Sequence, residues 1–171
     1  MDALKLDELA ILPLMEKEKH VNIFPVLLHP SLFKDLIDVM MDSIRTNAAG
    51  VQLIMGLEAR GFLFGPVVAQ ALGVGFVPVR KAGKLPGETF SITYKLEYGQ
   101  DTFDIAKDCV KPGEKVVIID DLLATGGTMK AACDLVNMAG GEVLQCLVIM
   151  ELMDLHGRDK VPKSVTSLIK Y

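Results

Sequence analysis

The residues best suited to chemistry lie together in Val116 to Thr128, VVIIDDLLATGGT. Two successive carboxylates, Asp120 and Asp121, follow four apolar residues. Adjacent carboxylates are costly unless something neutralises them or donates hydrogen bonds to them. Ribose hydroxyls are good donors, and a bound cation would help. The next residues, Ala124-Thr125-Gly126-Gly127-Thr128, open into a helical pattern. Glycine lets backbone N–H groups turn inward with no Cβ in the way, and a helix N-terminus favours an anion. Thr125 and Thr128 add hydroxyl donors. Carboxylates for sugar hydroxyls beside a nest of phosphate donors describe a site for a 5-phosphosugar. A lone TGG would only turn the chain; here an apolar run, an acidic pair and a periodic helix coincide. Rival phosphate motifs do not fit: GxxxxGK[ST] is missing, and the GxG at Gly73-Val74-Gly75 follows a helix and meets Pro78 where its third glycine should stand.

The elements that must position these residues alternate between strand and helix, which predicts an α/β fold with a central, mainly parallel sheet flanked by helices. Val116 to Ile119 reads as a central strand covered on both faces. Val51 to Leu57, Gly75 to Val79 and Val143 to Met150 are further buried strands. Helices are expected over Leu32 to Ile44, capped by Ser31, over Phe62 to Leu72, ended by Gly73, and over Met129 to Ala139, ended by Gly140-Gly141. Thr89 to Lys95 and Thr102 to Ile105 alternate and could pair as a hairpin. Ser164 to Ile169 reads as a final edge strand.

Composition narrows the class. The 171 residues suit one domain, and 50% hydrophobic with 23% charged residues reads as globular and soluble. A net charge of −4 argues against a nucleic-acid partner. No apolar run reaches membrane-spanning length, and Met1 to His20 lacks a basic secretory n-region. Cys109, Cys133 and Cys146 form no CxxC pair and have no ligand-spaced histidine, so they read as small core residues in a reducing, cytoplasmic setting.

VVIIDDLLATGGT resembles the phosphoribosyl-diphosphate signature of the type I phosphoribosyltransferases. Gly56 to Pro66 (GLEARGFLFGP), Val79 to Gly87 (VRKAGKLPG) and Tyr94 to Gly99 (YKLEYG) are similar, in order and spacing, to the adenine phosphoribosyltransferase family. The likeness runs from Ile23 to Tyr171. It implies the type I phosphoribosyltransferase fold, with a flexible hairpin lid. It also implies a pentosyl transfer: adenine and phosphoribosyl diphosphate give AMP and diphosphate in purine salvage, with Mg²⁺ held mainly by the substrate near Asp120 and Asp121 rather than by direct protein ligands.

The resemblance further implies residue roles. Ala124, Thr125, Gly126, Gly127 and Thr128 would hold the 5′-phosphate. Asp120 and Asp121 would face the ribose, and Arg60 would bind the departing diphosphate. A cis peptide is expected at Glu58–Ala59. Arg80, Lys81 and Lys84 by themselves read as a solvated charged loop; the resemblance sends Arg80 and Lys84 to diphosphate, from the partner subunit of a homodimer. Glu97 and Tyr98 would lie in the lid, with Glu97 the general acid/base at the purine, although as a bare residue Glu97 equally suits an exposed hairpin.

The N-terminus departs from the family. An FPxxG element and an Arg-Asp pair are expected before Ile23, where the chain has Lys19-His20-Val21-Asn22. Met1 to Asn22 therefore reads as a divergent segment forming a reduced or altered hood over the base, before a transferase domain spanning 23–171. Pro13 would limit any helix there. Two alternatives follow: a weakly active or inactive paralogue that binds phosphoribosyl diphosphate or AMP in a regulatory role, and a transferase for another base.

Overall fold

A computed structural model describes residues 22–95 and 99–171. Among the described residues seven strands form one sheet: β1 (Leu53–Leu57), β2 (Gly75–Lys81), β3 (Thr89–Lys95), β4 (Gln100–Ala106), β5 (Lys115–Leu123), β6 (Glu142–Glu151) and β7 (Val165–Lys170). Their spatial order is β3-β4-β2-β1-β5-β6-β7. Strands β2, β1, β5, β6 and β7 run parallel; β4 is antiparallel to β2 and to β3. The helices are α1 (Phe24–Leu27), α2 (Pro30–Asn47), α3 (Gly61–Leu72) and α4 (Gly127–Met138).

The sheet has a core on each face because strand side chains alternate. Val116 and Ile118 of β5 join Met55, Leu57 and Val148 under α4. Val117 and Ile119 join Ile54, Leu147 and Ile149 under α2 and α3. The alternation reverses past the acidic pair: Leu122 packs on the α2–α3 side and Leu123 on the α4 side. The strand thus changes face across Asp120 and Asp121.

The chain leaves β1 through α3 to β2 on one side, and leaves β5 through α4 to β6 on the other. β1 and β5 are parallel neighbours, with Gly56 opposite Ile119. Their carboxyl ends border the crevice where open α/β sheets bind ligands.

Several boundaries differ from the sequence reading. β5 continues past Ile119 because the long β6 pairs with it as far as Leu123, so Asp120 and Asp121 lie within the strand. Ser31 does not cap α2: the helix starts at Pro30, with His29 at the N-cap and no side-chain cap bond. Proline's fixed φ suits that first position. Val51 and Gln52 precede β1, while α3 ends at a left-handed Gly73 as expected (φ 70°). Asn22 Oδ1 accepts the Phe24 N–H at 3.0 Å, giving the first described helix its polar start. Cys133 and Cys146 are buried free thiols with Sγ atoms 3.6 Å apart, and Cys109 is half-buried against the same core.

Candidate active site at the ends of two parallel strands

Glu58, Ala59 and Arg60 form the loop leaving β1, and the Glu58–Ala59 peptide is cis. α3 then begins at Gly61. A Cβ on Gly61 would lie 2.7 Å from the Ile119 carbonyl oxygen, so only glycine lets α3 start this close to β5. That approach brings Arg60 to the acidic pair, with Arg60 Nε 3.1 Å from Asp121 Oδ2. The Asp121 side chain is 2% exposed and the Arg60 side chain 42%, so the arginine is the open partner. Its planar fork suits phosphate or diphosphate.

Asp120 Oδ1 accepts the Asp121 N–H at 2.9 Å. Burial, reinforced by the neighbouring Asp121 charge, raises the proton affinity of Asp120 well above that of an ordinary carboxylate. Burial also raises that of Asp121, with Arg60 pulling the other way. A pair in this state gains from hydroxyl donors or positive charge placed over it.

The turn from β5 into α4 passes through Ala124, Thr125 and Gly126. Gly126 is left-handed (φ 80°), and α4 begins at Gly127 with no side-chain cap. Its first N–H groups therefore lack a side-chain acceptor, which is the condition for holding an anion. Thr125 and Thr128 are half-buried beside them.

The expected hairpin forms between β3 and β4, in register from Thr89–Ala106 to Lys95–Gln100. It lies against the glycine turn that opens α4: a Cβ on Gly127 would be 3.3 Å from the Lys95 carbonyl oxygen and 3.9 Å from Tyr94 Cδ2. A cavity of about 410 Å³ separates the hairpin from α4, bordered by Tyr94, Lys95, Thr125, Gly127, Lys130 and Asp134. Tyr94 packs against Phe103 in a tilted arrangement with ring centroids 4.8 Å apart. Burial, aided by the charges of Asp101 and Asp120, pushes its phenol up to about 12. From the sequence, Tyr94 is an alternating strand position and the first residue of YKLEYG, with no site role given to it. Its place at the head of YKLEYG was the available signal. Glu97 and Tyr98, and Met1 to Val21 with Lys19, His20 and Val21, lie outside the described residues.

The basic turn also reaches this edge of the sheet. Arg80 at the end of β2 donates from Nε and Nη2 to the two Glu58 carboxylate oxygens, each at 3.4 Å, and from Nη1 to the Lys84 carbonyl at 3.3 Å. The Lys81 N–H donates to Glu58 Oε2 at 2.8 Å. That backbone bond, then Arg80, holds the Glu58 carboxyl below its usual range. Arg80 is thus tied to the loop that carries Arg60, and Lys84 sits in the same turn. Lys81 is diverted to Asp101, 2.7 Å away.

Comparison with known proteins agrees with this architecture. The phosphoribosyl transferase domain family matches residues 26–170. The adenine phosphoribosyltransferase of Drosophila pseudoobscura pseudoobscura is 51% identical over 150 residues, covering 88% of this chain and 83% of that protein. The crystal structure of the Thermoanaerobacter pseudethanolicus enzyme of that name superposes with a TM-score of 0.90 at 44% identity, over 97% of this chain and 99% of its own. That of the Saccharomyces cerevisiae enzyme, complexed with adenine and an imino-altritol bisphosphate, gives 0.84 at 47% identity over 86% and 85% of the two chains. The chain belongs to the adenine phosphoribosyltransferase family of pentosyltransferases.

Proposed function

We propose that this chain joins adenine to C1′ of phosphoribosyl diphosphate in purine salvage, forming AMP and releasing diphosphate. The observation that carries this reading is the meeting of Arg60 with Asp121, 3.1 Å apart, beside an uncapped helix start. One crevice then offers sites for a sugar, its phosphate and a leaving diphosphate. Ala124 to Thr128 hold the 5′-phosphate through backbone and hydroxyl donors. Asp120 and Asp121 bind ribose hydroxyls and stabilise positive charge as it develops at C1′. Arg60 receives the diphosphate, joined by Arg80 and Lys84, which in the homodimer implied by the family resemblance serve the partner's site.

Glu97 exchanges the purine proton as the hairpin closes and excludes water, with Tyr98 covering the site. Little covalent chemistry falls to the protein; positioning and charge carry the rate. The donor set suits Mg²⁺, since a buried and a half-buried carboxylate of raised proton affinity gain from a hard cation that substrate oxygens largely hold. When bound, the ion supplies charge neutralisation on the diphosphate. The transferase unit runs over 23–171 in this reading, with Ile23 and Val26 already buried in the core. The unbonded thiols of Cys133 and Cys146 suit a cytoplasmic location.

The test is AMP formation from adenine, phosphoribosyl diphosphate and Mg²⁺, with Asp121→Ala as control. A folded protein that binds the phosphosugar yet makes no AMP would sink the proposal. Turnover of hypoxanthine or guanine in place of adenine would move it to another base.

A further inference from the structure

We propose that Gly157 is a positioning residue for the 5′-phosphate loop, held in place by a Glu151–Arg158–Ser167 cluster at the ends of β6 and β7. The inference rests on the phosphate role proposed above for Ala124 to Thr128. Two backbones meet behind that loop. A Cβ on Gly126 would run into the Gly157 carbonyl oxygen, and a Cβ on Gly157 would run into the Ala124 carbonyl oxygen. The loop and Gly157 are thus interlocked at a spacing that no side chain allows.

Gly157 is itself tethered. It opens the short 3₁₀ turn Gly157–Lys160, after a left-handed His156 (φ 49°). The next residue, Arg158, donates from Nε to Glu151 Oε1 at 3.0 Å and from Nη2 to Glu151 Oε2 at 2.5 Å. Its Nη1 donates to the Val165 carbonyl at 2.8 Å, and Nη2 also reaches Ser167 Oγ at 3.2 Å. Ser167 Oγ donates to Glu151 Oε2 at 2.6 Å, and the Glu151 side chain is 3% exposed. Two backbone bonds complete the brace: Leu152 N–H to the Leu123 carbonyl at 2.9 Å, and Met153 N–H to the Tyr171 carbonyl at 2.7 Å. Glu151, Arg158 and Ser167 are not among the residues that line the cavity beside α4. They fix the surface against which the loop rests, and so where its N–H groups point.

A loop that meets a dianion without rearranging is preorganised, and a displacement of about 1 Å can cost on the order of 100-fold. The decisive variant is Gly157→Ala, which must push the loop away. The KM for phosphoribosyl diphosphate should rise at least about tenfold, a misplacement smaller than that limit. The KM for adenine should stay within about twofold, because the base makes no use of the loop's N–H donors. Equilibrium binding of ribose 5-phosphate should weaken in parallel. An unchanged phosphoribosyl-diphosphate KM, or an equal rise for both substrates, would overturn the proposal.

If Gly157→Ala does not fold, Arg158→Lys and Ser167→Ala decide, since they thin the cluster without emptying it. Each should raise the same KM selectively, with Arg158→Lys milder than Arg158→Ala. Folded variants with unaltered phosphosugar binding would again refute the brace. Thr128→Val separates the two layers of the argument. If it weakens ribose 5-phosphate binding while Gly157→Ala does not, only the brace fails. If neither does, the phosphate role fails and takes the brace with it.

Discussion

The parallel centre of the sheet and the antiparallel hairpin at its edge both border the crevice, and they are built differently. Val116, Val117, Ile118 and Ile119 are wholly buried. β5 is paired along its length with β6 and along its first half with β1. The hairpin shares a short ladder with the rest of the sheet, Arg80 and Lys81 opposite Asp104 and Phe103, extended by the Ala82 N–H to the Thr102 carbonyl and the Lys81–Asp101 ion pair. From Phe90 onward β3 alternates between half-buried and exposed residues. Groups proposed to grip the phosphosugar therefore stand on a rigid frame. The hairpin is held by a shorter ladder and half-buried side chains, so it is the less firmly packed of the two regions.

The comparison can be tested by breaking each region in turn. Arg60→Ala attacks the rigid side and should have the largest effect. Removing one cation aimed at developing charge typically costs about 10²–10³ in turnover. Steady-state kcat/KM for phosphoribosyl diphosphate checks this. Arg60→Lys should recover only part, since it restores charge without the planar fork. Phe103→Ala attacks the anchor of the hairpin. Truncating a buried phenylalanine costs about 3–5 kcal/mol, and Phe103 is 2% exposed with Tyr94 packed against it. Urea denaturation should register the loss, and the KM for adenine should suffer more than ribose 5-phosphate binding.

A smaller effect of opposite sign is expected at Asp120. Its proton affinity is raised in the folded chain by burial and by Asp121, so the folded state holds the proton more tightly than the unfolded state. The contribution of Asp120 to stability is therefore greatest below the unfolded carboxylate range, about pH 4, and falls as pH rises through the raised folded value. Asp120→Asn should remove its share of that decline and raise Tm at pH 7 while lowering turnover. A Tm that drops, or an unchanged pH slope, would count against a raised proton affinity at Asp120. The smallest effect belongs to the exposed Thr93–Thr102 hydroxyl pair on the hairpin, 2.9 Å apart. Thr93→Val should shift stability by no more than about 0.5 kcal/mol, as expected for one cross-strand contact.

Much of the fold could be read from local pattern. Continuous apolar runs marked β1, β5 and β6, because a strand covered on both faces needs no alternation. Period-two residues marked the hairpin, and Gly73 marked the end of α3. The errors fell where tertiary pairing overrides local signals. β5 extends through its aspartates because β6 supplies a partner that far. Ser31 lost the cap position to a helix that starts on Pro30.

For the site, residue type and order alone determined which groups could meet a phosphosugar: an acidic pair, a glycine-rich turn and a helix start, contiguous from Asp120 to Thr128. Contiguity made that half legible, since neighbours in sequence stay neighbours in any fold. Only the tertiary structure decided that Arg60 meets Asp121, that Glu58 ties Arg80 to the same loop, and that Gly157 lies behind Gly126. These contacts join segments far apart in the chain, and they exist because two parallel neighbouring strands end at one crevice and because glycine's missing Cβ lets separate backbones touch.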